Sequence, residues 1–189
     1  MSLILASQSP RRKELLTQLG VSFTTAPADI DETPHLNEMP AEYVLRLAIE
    51  KATVISDKYL ERWVLGSDTT VVLGSDILGK PESEQHSIDM LLSLSEKCHS
   101  VLTAVALVKQ QQVLTRLVTT KVCFRKIDES MARKYWQTQE PCDKAGGYGI
   151  QGLGGMLVRS IEGSYSSVVG LPLAETADLL MEANIKGWW

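Results

Sequence analysis

Two arginines, two lysines and an aspartate occupy positions that cost free energy unless something charged meets them. Arg11 and Arg12 fall in the first turn of a helix that Ser9 caps and Pro10 opens. Cations there oppose the helix macrodipole by roughly 0.3–1 kcal/mol each. The same terminus, preceded by Ser7 and Ser9, offers free N–H groups to an anion, and a phosphate would reconcile the two facts. Two solvated arginines on a surface helix are the plainer account of the dipeptide by itself. Lys51 continues the stripe Val44, Leu47, Ala48, Lys51, Ile55 on one helix face, where a lysine either snorkels to the edge or meets an anion. Asp68 interrupts the run Val64 to Leu73, a buried-strand composition in which an unpaired carboxylate is costly. A strand end facing solvent would explain it; so would a general base or metal ligand, which the apolar flanks favour.

Other stretches sort by elimination. Gly74 to Lys80 matches a phosphate-binding loop pattern, but Pro81 stands where Ser or Thr should hold Mg²⁺, so the match fails. Lys80 remains a phosphate candidate, because Gly79 and Pro81 fix the backbone on both sides of it. Residues 146–155 hold six glycines in ten positions, with Lys144, Tyr148 and Gln151 spaced through or beside them. That density points to a mobile loop or to close approach of backbone to a ligand; the spaced polar residues favour the ligand. His35, His86 and His99 have no carboxylate or cysteine partner near them in a recognisable pattern and read as surface residues. Three cysteines without C-x-x-C spacing argue against a disulfide framework and a structural zinc.

The elements that must position these groups alternate between strand and helix. Leu3–Ala6 reads as a short strand, and a helix runs from Pro10 until Gly20 stops it. A second helix covers about 41–58. Val64–Leu73 turns at Gly74-Ser75-Asp76, a helix carrying Ile88, Leu91 and Leu92 follows, and 101–108 pairs with 113–124 across 109–112. A helix near 129–138, a strand near 156–161 and a helix opened by Pro172 complete the chain. Hairpins mixed with crossovers predict an α/β fold with a mixed sheet, read as one domain over 1–189. Lys+Arg total 19 against Asp+Glu 23, a net charge of −4, so general nucleic-acid or membrane-surface binding is not expected. The apolar start lacks a basic flank and is too short for a signal peptide or a span, which leaves a cytoplasmic location as the expectation.

Taken in order, the segments resemble the Maf family of nucleotide pyrophosphatases. They are Leu5-Ala6-Ser7-Gln8-Ser9-Pro10-Arg11-Arg12, Ile30-Asp31-Glu32, Arg46-Leu47-Ala48 with Glu50-Lys51-Ala52, Gly66-Ser67-Asp68-Thr69, Gly79-Lys80-Pro81, Thr103-Ala104-Val105, Asp143 through Gly152, Gly163-Ser164-Tyr165 and Gly170-Leu171-Pro172. The resemblance implies an elongated, bent mixed sheet with flanking helices, forming two lobes around a cleft and similar to inosine triphosphate pyrophosphatases. It further implies a homodimer, a divalent cation (Mg²⁺ or Mn²⁺) and hydrolysis of a nucleoside triphosphate to monophosphate and pyrophosphate. Asp68 is then the catalytic residue, with Glu32 and Asp68 as metal ligands. Ser7, Arg11, Arg12, Lys51, Thr69, Lys80, Lys144 and Gln151 bind the substrate. Arg12, Thr69 and Gln151 match the subgroup that prefers dTTP and UTP; the methylguanine-preferring subgroup carries an aromatic residue, a glutamine and a glutamate there. Physically, the Gln151 amide offers both a donor and an acceptor to the imide edge of uracil or thymine. Two other readings compete: a nucleotide-binding regulator of septum formation without turnover, and a nucleotide kinase. Retention of Asp68 and Glu32 opposes the first, and Pro81 the second.

Overall fold

A computed structural model of the chain describes residues 3–189. Met1 and Ser2, the first two residues of the expected domain, lie outside the described residues. The elements are β1 (Leu3–Leu5), α1 (Pro10–Gln18), β2 (Phe23–Thr25), α2 (Pro40–Ser56), β3 (Val64–Leu73), β4 (Asp76–Leu78), α3 (Glu84–Leu94), β5 (Cys98–Lys109), β6 (Gln112–Phe124), α4 (Glu129–Gln137), β7 (Val158–Glu162), α5 (Tyr165–Val169) and α6 (Leu173–Glu182). The sheet has seven strands in the order β2-β1-β3-β5-β6-β7, with β4 paired to β3. It is mixed, as expected: β1 runs parallel to β2 and β3, while β3–β4 and β6–β7 are antiparallel. Among the described residues, no helix is long and apolar enough to cross a membrane.

The chain forms two compact units, and it passes between them within β3, β5 and β6 and again after α5. One comprises the chain up to Asp68, Thr103–Val118 and Gly170–Trp189; the other comprises Thr69–Leu102 and Thr119–Val169. In the first, α1 starts where Ser9 accepts a hydrogen bond from the Arg12 amide and Pro10 supplies a preset φ. The α2 stripe Val44, Leu47, Ala48, Lys51 and Ile55 is buried throughout, so the periodicity did identify the core face. That face meets a strand, β3, whose residues from Val64 to Asp68 are all buried, as in strands covered on both sides. In the second unit α3 packs on α4, and the core gathers Val71, Ile88, Leu91, Leu94, Phe124, Tyr135, Tyr148 and Leu157. The hairpin joining β5 to β6 passes through Gln110 and Gln111, a connection short enough only for antiparallel neighbours.

Two expectations are corrected here. Cys98 and Cys123 form a disulfide across β5 and β6, with Cα atoms 3.9 Å apart; only Cys142 is a free thiol among the described residues. Their 25-residue separation carries no recognisable spacing, because strand register, which sequence spacing does not reveal, is what sets them side by side. His99 is also not a surface residue: it is 3% exposed, because β5 begins at Cys98 and alternation places His99 on the same buried face as Val101.

Candidate active site

The centre of the first unit is a close approach between α2 and β3. A Cβ on Gly66 would collide with the Ala48 carbonyl oxygen and lie 2.8 Å from the Ala52 nitrogen, so only glycine lets the helix settle at this depth. Lys51 stands one turn on from Ala48, and Asp68 two residues on from Gly66, on the same face of the strand. Each therefore lands in the layer between helix and strand. The Lys51 ammonium donates to Asp68 Oδ1 at 2.7 Å and lies 2.7 Å from Glu32 Oε1. Lys51 and Asp68 are 8% and 7% exposed, which decides against both the snorkelling lysine and the solvent-facing aspartate. Burial pushes the Asp68 carboxyl above its ordinary value, while Lys51 and Arg12 pull the other way.

Arg12 is held by the backbone at Gly170. Its Nε donates to the Gly170 carbonyl at 2.9 Å, and Ser67 Oγ donates to the same carbonyl at 3.0 Å. Burial lowers the pKa of its guanidinium, with Asp68 as the main opposing charge. Ser7 accepts from the Ser9 amide at 3.1 Å and stands just before α1, whose first turn carries the half-buried Arg11. Glu32 lies on an exposed loop that α2 pins down. Tyr43 donates its hydroxyl to the Glu32 carbonyl at 2.9 Å, and Arg46 donates to the Thr33 carbonyl and to both oxygens of Glu38. Burial, aided by the nearby carboxylates, pushes the Tyr43 phenol up to about 12, so it remains a donor.

Four residues from the sequence reading, Thr69, Lys80, Lys144 and Gln151, lie in the second unit. Thr69 follows Asp68 in β3 and is half-buried. Lys80 is exposed between Gly79 and the buried Pro81, and the Gly146 amide donates to the Gly79 carbonyl at 3.0 Å. Lys144 is engaged: it donates to the Glu140 carbonyl at 2.7 Å and pairs with Asp143 at 2.6 Å. Gln151 is exposed and makes no side-chain hydrogen bond among the described residues. The structure thus joins Lys51, Asp68, Glu32 and Arg12 in one ionic cluster, sets Ser7 and Arg11 at one helix start, and places Lys80, Lys144 and Gln151 in the other unit. Sequence reasoning quoted Gly66 and Gly170 only as members of motifs, with no role, and did not single out Tyr43 or Glu140. Gly66, two residues before Asp68, was the available signal, since α2 must approach β3 closely for the Lys51 ammonium to reach the Asp68 carboxylate.

Glu32 and Asp68 present two carboxylates around one ammonium. Among the described residues, no group of three or more His, Cys, Asp or Glu side chains could hold a metal ion. Two carboxylates with substrate oxygens completing the shell suit a hard cation such as Mg²⁺, and the donor set is unlike the closed four-ligand site of structural zinc.

Comparison with known proteins shows the family. The profile of the family described as Maf-like protein matches residues 2–183. The "dTTP/UTP pyrophosphatase" of Colwellia psychrerythraea is 52% identical over 190 residues, covering 98% of this chain and 90% of that protein. Its counterpart of the same name in Shewanella sp. strain MR-7 is 54% identical over 194 residues, covering 98% and 100%. Among solved structures, the Ham1 protein of Staphylococcus aureus aligns with a TM-score of 0.43 and 15% identity, over 68% of this chain and 73% of that one.

Proposed function

The chain belongs to the Maf family, and we propose that it is a nucleoside triphosphate pyrophosphatase that hydrolyses dTTP and UTP to the monophosphate and pyrophosphate. The observation that carries this reading is the buried Lys51–Asp68 pair with Glu32 beside it at 2.7 Å. A carboxylate buried on a strand and partnered by an ammonium is a costly arrangement for stability alone and a suitable one for moving a proton beside phosphates.

In this mechanism water attacks the α-phosphorus and Asp68 accepts its proton. The bond from the α-phosphorus to the bridging oxygen breaks, and the electron pair leaves with pyrophosphate. Charge accumulates on phosphoryl oxygens, so positioned cations supply most of the stabilisation. Lys51 and Arg12 serve the reacting phosphate. Ser7, Arg11 and the amides opening α1 hold phosphate oxygens. Lys80 and Lys144 contribute further positive charge, and Thr69 and Gln151 are assigned to substrate recognition, Gln151 to the base. A divalent cation held by Glu32 and Asp68, when bound, would neutralise phosphate charge and polarise the attacked centre. The reading includes a homodimer, carried by the family resemblance, a cytoplasmic location, and a role in clearing the nucleotide pool.

A panel of dTTP, UTP, 7-methyl-GTP and the common purine triphosphates, assayed for pyrophosphate release, tests the reading. The highest kcat/KM is expected for dTTP and UTP. A higher value for 7-methyl-GTP would overturn the base preference, and the absence of pyrophosphate release from any nucleotide would overturn the activity.

A further inference from the structure

The glycine-rich stretch is not slack. Three of its amides are held by two side chains that the active-site reading leaves unused. Glu140 Oε1 accepts from the Gly154 amide at 2.9 Å, Glu140 Oε2 accepts from the Leu153 amide at 2.8 Å, and the Tyr135 hydroxyl accepts from the Gly149 amide at 3.0 Å. Tyr135 in turn donates its proton to Glu140 Oε1 at 2.7 Å, which joins the two groups into one clamp.

The glycines themselves show how tightly the loop is drawn in. A Cβ on Gly152 would collide with Glu140 Oε2, and one on Gly154 would collide with the Tyr135 hydroxyl. A Cβ on Gly149 would lie 2.7 Å from Lys144 Cε. Glycine is therefore used here for closeness to the clamp, not for mobility. Tyr135 is buried in the core of its unit at the end of α4, and Glu140 follows at once, after the left-handed turn at Gln139. The clamp is thus anchored to a helix. Although burial opposes it, the hydrogen bonds from Gly154, Tyr135 and Leu153 hold the Glu140 carboxyl below its ordinary value, so it stays an ionised acceptor.

Between the fixed amides of Gly149 and Leu153 sits Gln151, exposed and making no side-chain hydrogen bond among the described residues. Resting on the reading of Gln151 as the residue that meets the base, we infer that Tyr135 and Glu140 are positioning residues for base selection: they fix the backbone on both sides of Gln151, so that its amide meets a pyrimidine imide edge in one orientation. An amide turned by half a revolution presents donor for acceptor, so a slackened loop would lose the distinction between bases before it lost catalysis.

The test is the kinetics of E140Q, Y135F, Q151A and the double variant E140Q/Q151A on dTTP, UTP and GTP, with thermal melting alongside. E140Q keeps the shape of the carboxylate but turns one acceptor into a donor against a backbone amide; Y135F keeps the ring and removes the hydroxyl. For both, the preference for dTTP over GTP should fall by about 10-fold, carried by KM for dTTP with kcat changed far less. In the Q151A background, E140Q should change the preference no further. Unchanged preference in E140Q and Y135F would overturn the inference, as would additive losses in the double variant or an equal kcat loss on every nucleotide. Should E140Q not fold, the same outcomes are read from Y135F. If the wild-type protein releases no pyrophosphate from dTTP or UTP, the functional reading fails; if it does and the variants keep its preference, only this inference fails.

Discussion

Replacing His99 by glutamine should change how stability depends on pH, by an amount that its surroundings set. His99 is 3% exposed, its Nε2 meets the Tyr148 hydroxyl at 2.8 Å, and its Nδ1 has no hydrogen-bond partner among the described residues. Phe124 and Tyr148 pack on the ring in T-shaped contacts, and burial is the only influence on its titration, with no charged group opposing it. Burial therefore lowers its pKa from 6.5 to about 4. The unfolded chain takes up this proton as the pH drops through 6.5, while the folded chain refuses it until about 4. Stability is fully present above 6.5 and is lost across that window. At roughly 1.4 kcal/mol per pH unit, the loss is about 3 kcal/mol. Glutamine does not titrate, so H99Q should be the less stable protein at pH 7.5 and should close the gap with wild type by about 3 kcal/mol as the pH approaches 4. Urea unfolding followed by the fluorescence of the four tryptophans, at half-unit steps from pH 7.5 to 4, measures this. Parallel stability curves for the two proteins would refute the reasoning.

G66A should destabilise by about 3 kcal/mol or more and reduce activity, because the added carbon meets helix backbone, which cannot swing aside as a side chain can; chemical denaturation with activity assays reads both. K51M should destabilise by about 3 kcal/mol at neutral pH, since it leaves Asp68 buried without its ammonium partner. A K51M protein as stable as wild type would show that the pair is not an ion pair in solution. Chelation with EDTA should stop turnover, added Mg²⁺ should restore it, and the melting temperature should stay unchanged. Glu32 and Asp68 already have Lys51 as a partner when no cation is bound, so full activity after chelation would remove the cation from the mechanism.

Much of the fold could be read from periodicity. The α2 stripe, the start of α1 at Ser9-Pro10 and the turn at Gly74–Asp76 all rest on local physics that acts within a few residues. Two short elements were not: β2 and α5 span three and five residues, too few for a period to register, whereas the equally short β1 was read from its apolar run. The site was legible as a set of unmet needs. Lys51 on an apolar stripe required an anion and Asp68 in a buried strand required a cation, yet the sequence does not say that each answers the other across 17 positions. Their meeting depends on the depth to which α2 settles over Gly66, a packing fact. His99 and the Cys98–Cys123 pair were missed for a different reason. The expected strand began at Val101, and three residues of unassigned strand were enough to hide both the buried ring and the facing cysteines. The glycine-rich stretch was flagged as close backbone approach to a ligand, whereas part of that closeness is to Glu140 and Tyr135.

The central claim is that Asp68 accepts the proton of the attacking water, and the D68N variant tests it most directly. Asparagine keeps the size of the side chain and a hydrogen-bonding oxygen for Lys51, while it removes the basicity. Purified D68N should fold and still bind nucleotide, and its rate of pyrophosphate release from dTTP under saturating substrate and Mg²⁺ should fall by about 10²–10⁴-fold. Pyrophosphate release by D68N at close to the wild-type rate would contradict the account.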